Sequence, residues 1–168
     1  TNNNNDHVIS FDGKMLGLSN FERSLGGSII YTVPIEGGIP KQITPRGPSY
    51  LHGWSPDGKF LLTGGRDAYL NIWETGNYTQ VKSIAAHNWA IYDIAYSSDA
   101  TLFATGSRDK TIKIWDDRTF EFLKRINKED YTGHSHSVNK LLWSPFHNYL
   151  VSVGDDKEVM IREININV

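Results

Sequence analysis

Short apolar runs with two-residue alternation recur along the chain. Tyr69-Leu70-Asn71-Ile72-Trp73, Thr111-Ile112-Lys113-Ile114-Trp115 and Val159-Met160-Ile161-Arg162 place apolar side chains on alternate positions, the pattern of half-buried strands. Each follows a more continuously apolar run: Phe60-Leu61-Leu62-Thr63, Leu102-Phe103-Ala104-Thr105 and Tyr149-Leu150-Val151-Ser152. The two runs are joined by Gly65-Arg66-Asp67, Ser107-Arg108-Asp109 and Gly154-Asp155-Asp156, residues that favour tight turns. More polar strands are expected over Thr79 to Ile84 and Glu121 to Ile126. No segment keeps a helical period for three turns, so the chain is expected to be all-β.

The same turn recurs ahead of each strand pair. It reads Ser10-Phe11-Asp12-Gly13-Lys14, Ser55-Pro56-Asp57-Gly58-Lys59, Ser97-Ser98-Asp99-Ala100 and Ser144-Pro145-Phe146-His147. Asp57 lies 45 residues after Asp12, Asp99 lies 42 after Asp57, and Phe146 lies 47 after Asp99. Periods of about 40–45 residues mark the blade of a β-propeller, a sheet of four antiparallel strands. Four blades are expected, over residues 7–47, 48–88, 89–133 and 134–168, together forming one propeller unit over 1–168. The fourth has too little sequence after Ile164 for an outer strand. The Asn-rich stretch Thr1 to Asp6 is a poor strand by propensity and is not expected to replace it.

Residues 68–164 resemble WD40 repeats. Thr105-Gly106-Ser107-Arg108-Asp109-Lys110-Thr111-Ile112-Lys113-Ile114-Trp115-Asp116 is close to the repeat consensus, and Gly133-His134 and Ala86-His87 match the Gly-His pair that opens a repeat. The resemblance implies a hydrogen-bonded network of His, Ser or Thr, Asp and Trp in each blade. The third repeat has the full set, His87, Thr105, Asp109 and Trp115. The fourth has His134, Ser152 and Asp156 with Arg162 in place of Trp. The second has Thr63, Asp67 and Trp73 with Pro45 in place of His. Residues 8–62 resemble instead the TolB-like propeller repeat, with Gly37-Gly38-Ile39-Pro40-Lys41-Gln42-Ile43-Thr44 as its outer strand and Gly53-Trp54-Ser55-Pro56-Asp57-Gly58-Lys59 as its turn. A chimera of two propeller lineages, natural or engineered, is the expectation. The WD40 resemblance also implies that Arg66, Arg108 and Trp89 lie on the top face, where such propellers meet a protein or peptide; Arg and Trp are frequent binding hot spots.

Composition narrows the function. A formal net charge of −2 gives no basic field for nucleic acid. There is no cysteine, hence no disulfide or thiol chemistry. No apolar run reaches the roughly 18 residues of a membrane span, and no signal sequence is evident, so cytoplasmic residence is expected. No nucleophile elbow, phosphate loop or metal-ligand motif is present, and the short loops give no catalytic insertion; no enzyme activity and no cofactor are expected. Four blades leave apolar faces at both ends of the row, carrying Val8, Ile9, Ile29, Ile30 and Val33 at one and Leu141, Leu142, Leu150, Val151 and Ile161 at the other. Repeat arrays need such faces capped. A two-fold homodimer that closes an eight-bladed ring is therefore expected, with a four-bladed ring of one chain as the alternative.

Overall fold

A computed structural model describes residues 3–130 and 132–166. Among them the chain forms fifteen strands and one short 3-10 turn. Sheet one contains β1 (Asn3–Ile9), β2 (Met15–Glu22), β3 (Gly27–Pro34) and β4 (Lys41–Gln42). Sheet two contains β5 (Ser49–Trp54), β6 (Phe60–Gly65), β7 (Tyr69–Glu74) and β8 (Gln80–Ala85). Sheet three contains β9 (Ile91–Tyr96), β10 (Leu102–Ser107), β11 (Ile112–Asp116) and β12 (Phe122–Ile126). Sheet four has three strands, β13 (Val138–Trp143), β14 (Tyr149–Gly154) and β15 (Val159–Glu163). In every sheet, sequential strands are antiparallel neighbours, the up-and-down arrangement of a propeller blade.

The recurring turn has a common chemical cause. Ser10, Ser55 and Ser97 donate their hydroxyls to Asp12, Asp57 and Asp99 at 2.6, 2.7 and 2.6 Å. Each Ser Oγ also accepts the amide five residues on, from Met15, Phe60 or Leu102, at 2.9 Å. This staples the first strand of a sheet to the second. Ala100 takes the left-handed position (φ 58°) that Gly13 and Gly58 fill in the other two copies. The fourth copy is built differently. His147 and Asn148 are both left-handed, and Asn148 accepts the Trp143 indole N–H at 2.5 Å.

The chain divides into two compact units between Ala85 and Ala86. Within the first, β5 packs on sheet one, and Ile30, Ile43, Leu51, Trp54, Leu61 and Trp73 form the core. Within the second, β13 packs on β9 and β10, and the core joins Ala104, Ile112 and Ile114 to Val138, Leu141, Trp143 and Leu150. Gly106 permits this approach, because a Cβ there would lie 3.0 Å from Val138 Cγ1. Asp93 also bridges the two sheets. It is buried, and it accepts the Leu141 amide at 2.7 Å and Lys140 Nζ at 3.0 Å. Burial pushes its carboxyl up, only partly offset by Leu141 and Lys140.

One expectation about strands needs correction. The Asn-rich start forms a strand despite its poor propensity. β1 begins at Asn3, which pairs with Asn20, and the ladder shifts register before His7 pairs with Leu18. Partnering with β2 overrides intrinsic propensity, which in sheets is weak against context. Thr1 and Asn2 lie outside the described residues.

Candidate functional site

The third repeat holds a closed hydrogen-bond chain. Asp109 accepts His87 Nδ1 at 3.0 Å, and His87 Nε2 lies 2.7 Å from Thr105 Oγ. Trp115 Nε1 donates to the same Thr105 Oγ at 2.9 Å. The proton positions follow from this geometry. An ionised Asp109 needs Nδ1–H as its donor, so Nε2 is the acceptor for the Thr105 proton. Burial depresses His87 below the ordinary histidine range, with the bond and charge of Asp109 pulling the other way; the ring is neutral. Burial pushes Asp109 up, but the hydrogen bonds donated by His87, Thr111 and the Asn88 amide outweigh it, and the carboxyl sits far below its usual range. The fourth repeat repeats the motif with a Ser. His134 Nδ1 meets Asp156 at 2.9 Å and Nε2 meets Ser152 Oγ at 2.9 Å. Arg162 stands where Trp115 stands, but it turns to Met160 Sδ at 3.0 Å and does not bond Ser152. In the second repeat Trp73 Nε1 donates to Thr63 Oγ at 3.0 Å, and exposed Asp67 accepts the Tyr69 amide at 3.1 Å.

These groups resemble a catalytic triad only on paper. A nucleophile needs a free hydroxyl whose proton passes to a base with an open path to substrate. Thr105 Oγ is occupied by both His87 and Trp115, and Thr105 has 0% exposure. The buried polar atoms are used to pair one another.

The turns that carry these aspartates also carry the exposed candidates. Arg108 lies 5.3 Å over the ring of Trp89, which is 57% exposed. Such a cation–π pair pre-orders both side chains. Arg66 is held differently, with its Nε donating to Tyr50 Oη at 3.2 Å. Among the described residues, no group of three or more His, Cys, Asp or Glu could hold a metal ion, and no helix is long and apolar enough to cross a membrane.

The family model of the WD domain, G-beta repeat (WD40) matches residues 49–74, 78–116 and 125–162, more than half of the chain. The chain belongs to the WD40 repeat family. The match begins at residue 49, ahead of residue 68 where the resemblance in the sequence begins, so it covers β5 to β7 entire. An uncharacterized protein of Agrobacterium fabrum is 42% identical over 85 residues, 50% of this chain and 29% of that protein. Protein HIR1 of Yarrowia lipolytica is 26% identical over 130 residues, 67% of this chain and 12% of that protein. The chain thus spans less than a third of either relative.

Two features of this WD40 chain escape sequence reading. The Asp93 bridge joins residues 47 and 48 positions apart. Its signal is a carboxylate at an inward position of the alternating run Ile91-Tyr92-Asp93-Ile94. Lys113, in the middle of β11, donates to the Ala86 carbonyl and lies 5.5 Å over the Phe122 ring; its signal is a Lys between two buried isoleucines.

Proposed function

We propose that this WD40 chain is a non-catalytic protein-binding scaffold that a second copy completes. The observation that carries this is an uncovered sheet face. In sheet three, Ala104, Ile112 and Ile114 are 0–2% exposed because sheet four lies on them. Their counterparts 47 residues on in sheet four are Val151, Val159 and Ile161. Val159 and Ile161 are each 66% exposed, and neighbouring Leu142 is 65% exposed. Sheet one has the mating face. Trp54 and Leu61 of sheet two are buried, yet their counterparts 45 residues earlier are Ile9, 54% exposed, and half-buried Leu16. Among the described residues, sheets one and four thus each carry an open face, and each has a covered counterpart within its own unit. Two copies in two-fold symmetry would cover both faces twice and stop there, with eight blades in one ring.

The chain has no cysteine, so engineered pairs report cleanly. The double variant Ile9→Cys, Ile161→Cys should form intermolecular disulfides on mild oxidation. Monomers that resist cross-linking at micromolar concentration contradict the proposal. The two styles of repeat also support a joined origin, with the Gly37-Gly38 to Ile43-Thr44 outer strand on one side and the near-consensus third repeat on the other.

A second reading has its own observation. Trp89 and Arg108 offer an aromatic and a cation on one exposed patch, the composition of a peptide or protein contact. Propellers of this family are generally non-catalytic, in keeping with a binding role.

A further inference from the structure

Two tryptophans at matching places in sheets two and four differ in their partners. Trp54 and Trp143 each stand one residue before the serine that opens a turn, Ser55 and Ser144. The Trp143 indole N–H donates to Asn148, at the end of that turn, at 2.5 Å. In sheet two the place of Asn148 is taken by Lys59, whose ammonium cannot accept a hydrogen bond. The Trp54 indole N–H is buried and has no hydrogen-bond partner among the described residues. A stranded buried donor is uncommon in a folded chain, and an incoming acceptor recovers its desolvation cost.

Trp54 also belongs to the wall of a cavity. About 470 Å³ of space lies between the turns at Ser10 and Ser55, lined by Phe11, Met15, Trp54, Pro56 and Tyr78 among others. Trp54 is 3% exposed and forms the floor, whereas Phe11 is 65% exposed and stands at the rim. Trp54 and Tyr78 meet edge to face, with ring centroids 6.4 Å apart and planes at 66°, so two aromatic surfaces make a corner. The carboxylates that reach the same space, Asp12 and Asp57, are paired with Lys14 and Lys59 at 3.7 and 2.8 Å. The rim is therefore neutral overall and favours an uncharged ligand.

We infer that this cavity binds a proline-rich peptide segment in the polyproline II conformation, with a backbone carbonyl accepting the Trp54 indole N–H and a proline ring against Phe11 and Tyr78. Such a segment makes no internal hydrogen bonds, so its carbonyls are free to accept. Its stiffness lowers the entropy lost on docking, and its rings are apolar and uncharged, which suits neutral aromatic walls. Both sheets lie in the first unit, so the site does not rest on completion by a second copy.

The test is a titration of the isotope-labelled full chain with a capped hexaproline peptide. The Trp54 indole resonance should shift saturably, while that of Trp143, whose N–H is already taken by Asn148, should not. Phe11→Ala removes an exposed ring and should weaken binding by about 2- to 12-fold. Lys59→Asn gives Trp54 the acceptor that Trp143 has and should abolish the response; the position is exposed, where such a change is tolerated. If that variant does not fold, the Phe11→Ala comparison decides alone. A capped peptide of alternating glycine and serine, equal in length, should leave the Trp54 resonance in place. No saturable shift of Trp54 with hexaproline, an equal shift with the glycine-serine peptide, or unchanged binding in either folded variant would overturn the assignment.

Discussion

Removing the Asp109 carboxylate tests whether the polar network holds the third sheet together. Its oxygens accept His87 Nδ1, the Asn88 amide and the Thr111 amide, each at 3.0 Å, and the Thr111 hydroxyl at 2.6 Å. The Asn88 amide sits at an exposed residue and Thr111 is half-buried, so water replaces Asp109 at both. His87 is different, because its side chain is 0% exposed and its Nδ1–H has no water to turn to. Thr111 Oγ lies 3.2 Å away and recovers part of the loss. One stranded buried donor costs about 1–3 kcal/mol. Asp67→Ala makes the matched control, since Asp67 is exposed and meets no histidine; it should cost under about 0.5 kcal/mol. Amide exchange of Ala104 and Ile114 reads the third sheet directly. Asp109→Ala should speed it by about 5- to 150-fold, the free-energy range converted at 1.4 kcal/mol per decade. Equal effects of the two substitutions, each on its own sheet, would refute the reasoning.

Three further outcomes follow from the same geometry. Amides of β15 should exchange before those of β11, because Val159 and Ile161 are 66% exposed whereas Ile112 and Ile114 are 2% and 0% exposed; equal protection would contradict this. Stability should fall on acidification from about pH 6.5, where the unfolded chain begins to protonate a histidine that the fold keeps neutral at His87. A second loss should come below about pH 4, as protons reach Asp109 and Asp156, whose folded carboxyls are held below the unfolded value. A melting temperature unchanged between pH 7.5 and pH 5.5 would count against the buried neutral His87. Gly106→Ala should destabilise the second unit by about 1–3 kcal/mol, because its Cβ meets Val138 Cγ1 at 3.0 Å and Leu141 Cγ at 3.3 Å; thermal denaturation that matches the parent chain would show that the interface yields.

Much of the architecture is local and therefore legible in the sequence. The Ser-x-Asp turns use bonds that span two and five residues, so their spacing marks each strand pair. Alternation in Ile112-Lys113-Ile114-Trp115 reflects the two faces of one strand, and period alone reveals it. Contacts between sheets are not local. Asp93 finds its partners across 47 and 48 residues, and no pattern in Ile91 to Tyr96 specifies Lys140. The Asn3 start of β1 was illegible for the same reason, because its partner is Asn20 on the neighbouring strand. Left-handed turn positions at Ala68, Lys110 and Lys157 are similarly hidden, since no glycine marks them. At each, the preceding aspartate accepts the next amide, from Tyr69, Thr111 or Glu158, and supports the turn. The site chemistry divides likewise. The eighteen-residue step from His87 to Thr105 is apparent in the sequence, but the stacking of Arg108 over Trp89 depends on how two separate turns meet.

Light scattering on the purified chain tests the central claim most directly. If a second copy covers the open faces of sheets one and four, as proposed, the particle should have about twice the 19.0 kDa chain mass. The double variant Leu142→Glu, Ile161→Glu places charges on the 65% and 66% exposed residues of the open face and should return a folded particle of single-chain mass. A parent chain that is folded and of single-chain mass at micromolar concentration, or a dimer that survives both substitutions, would contradict the account.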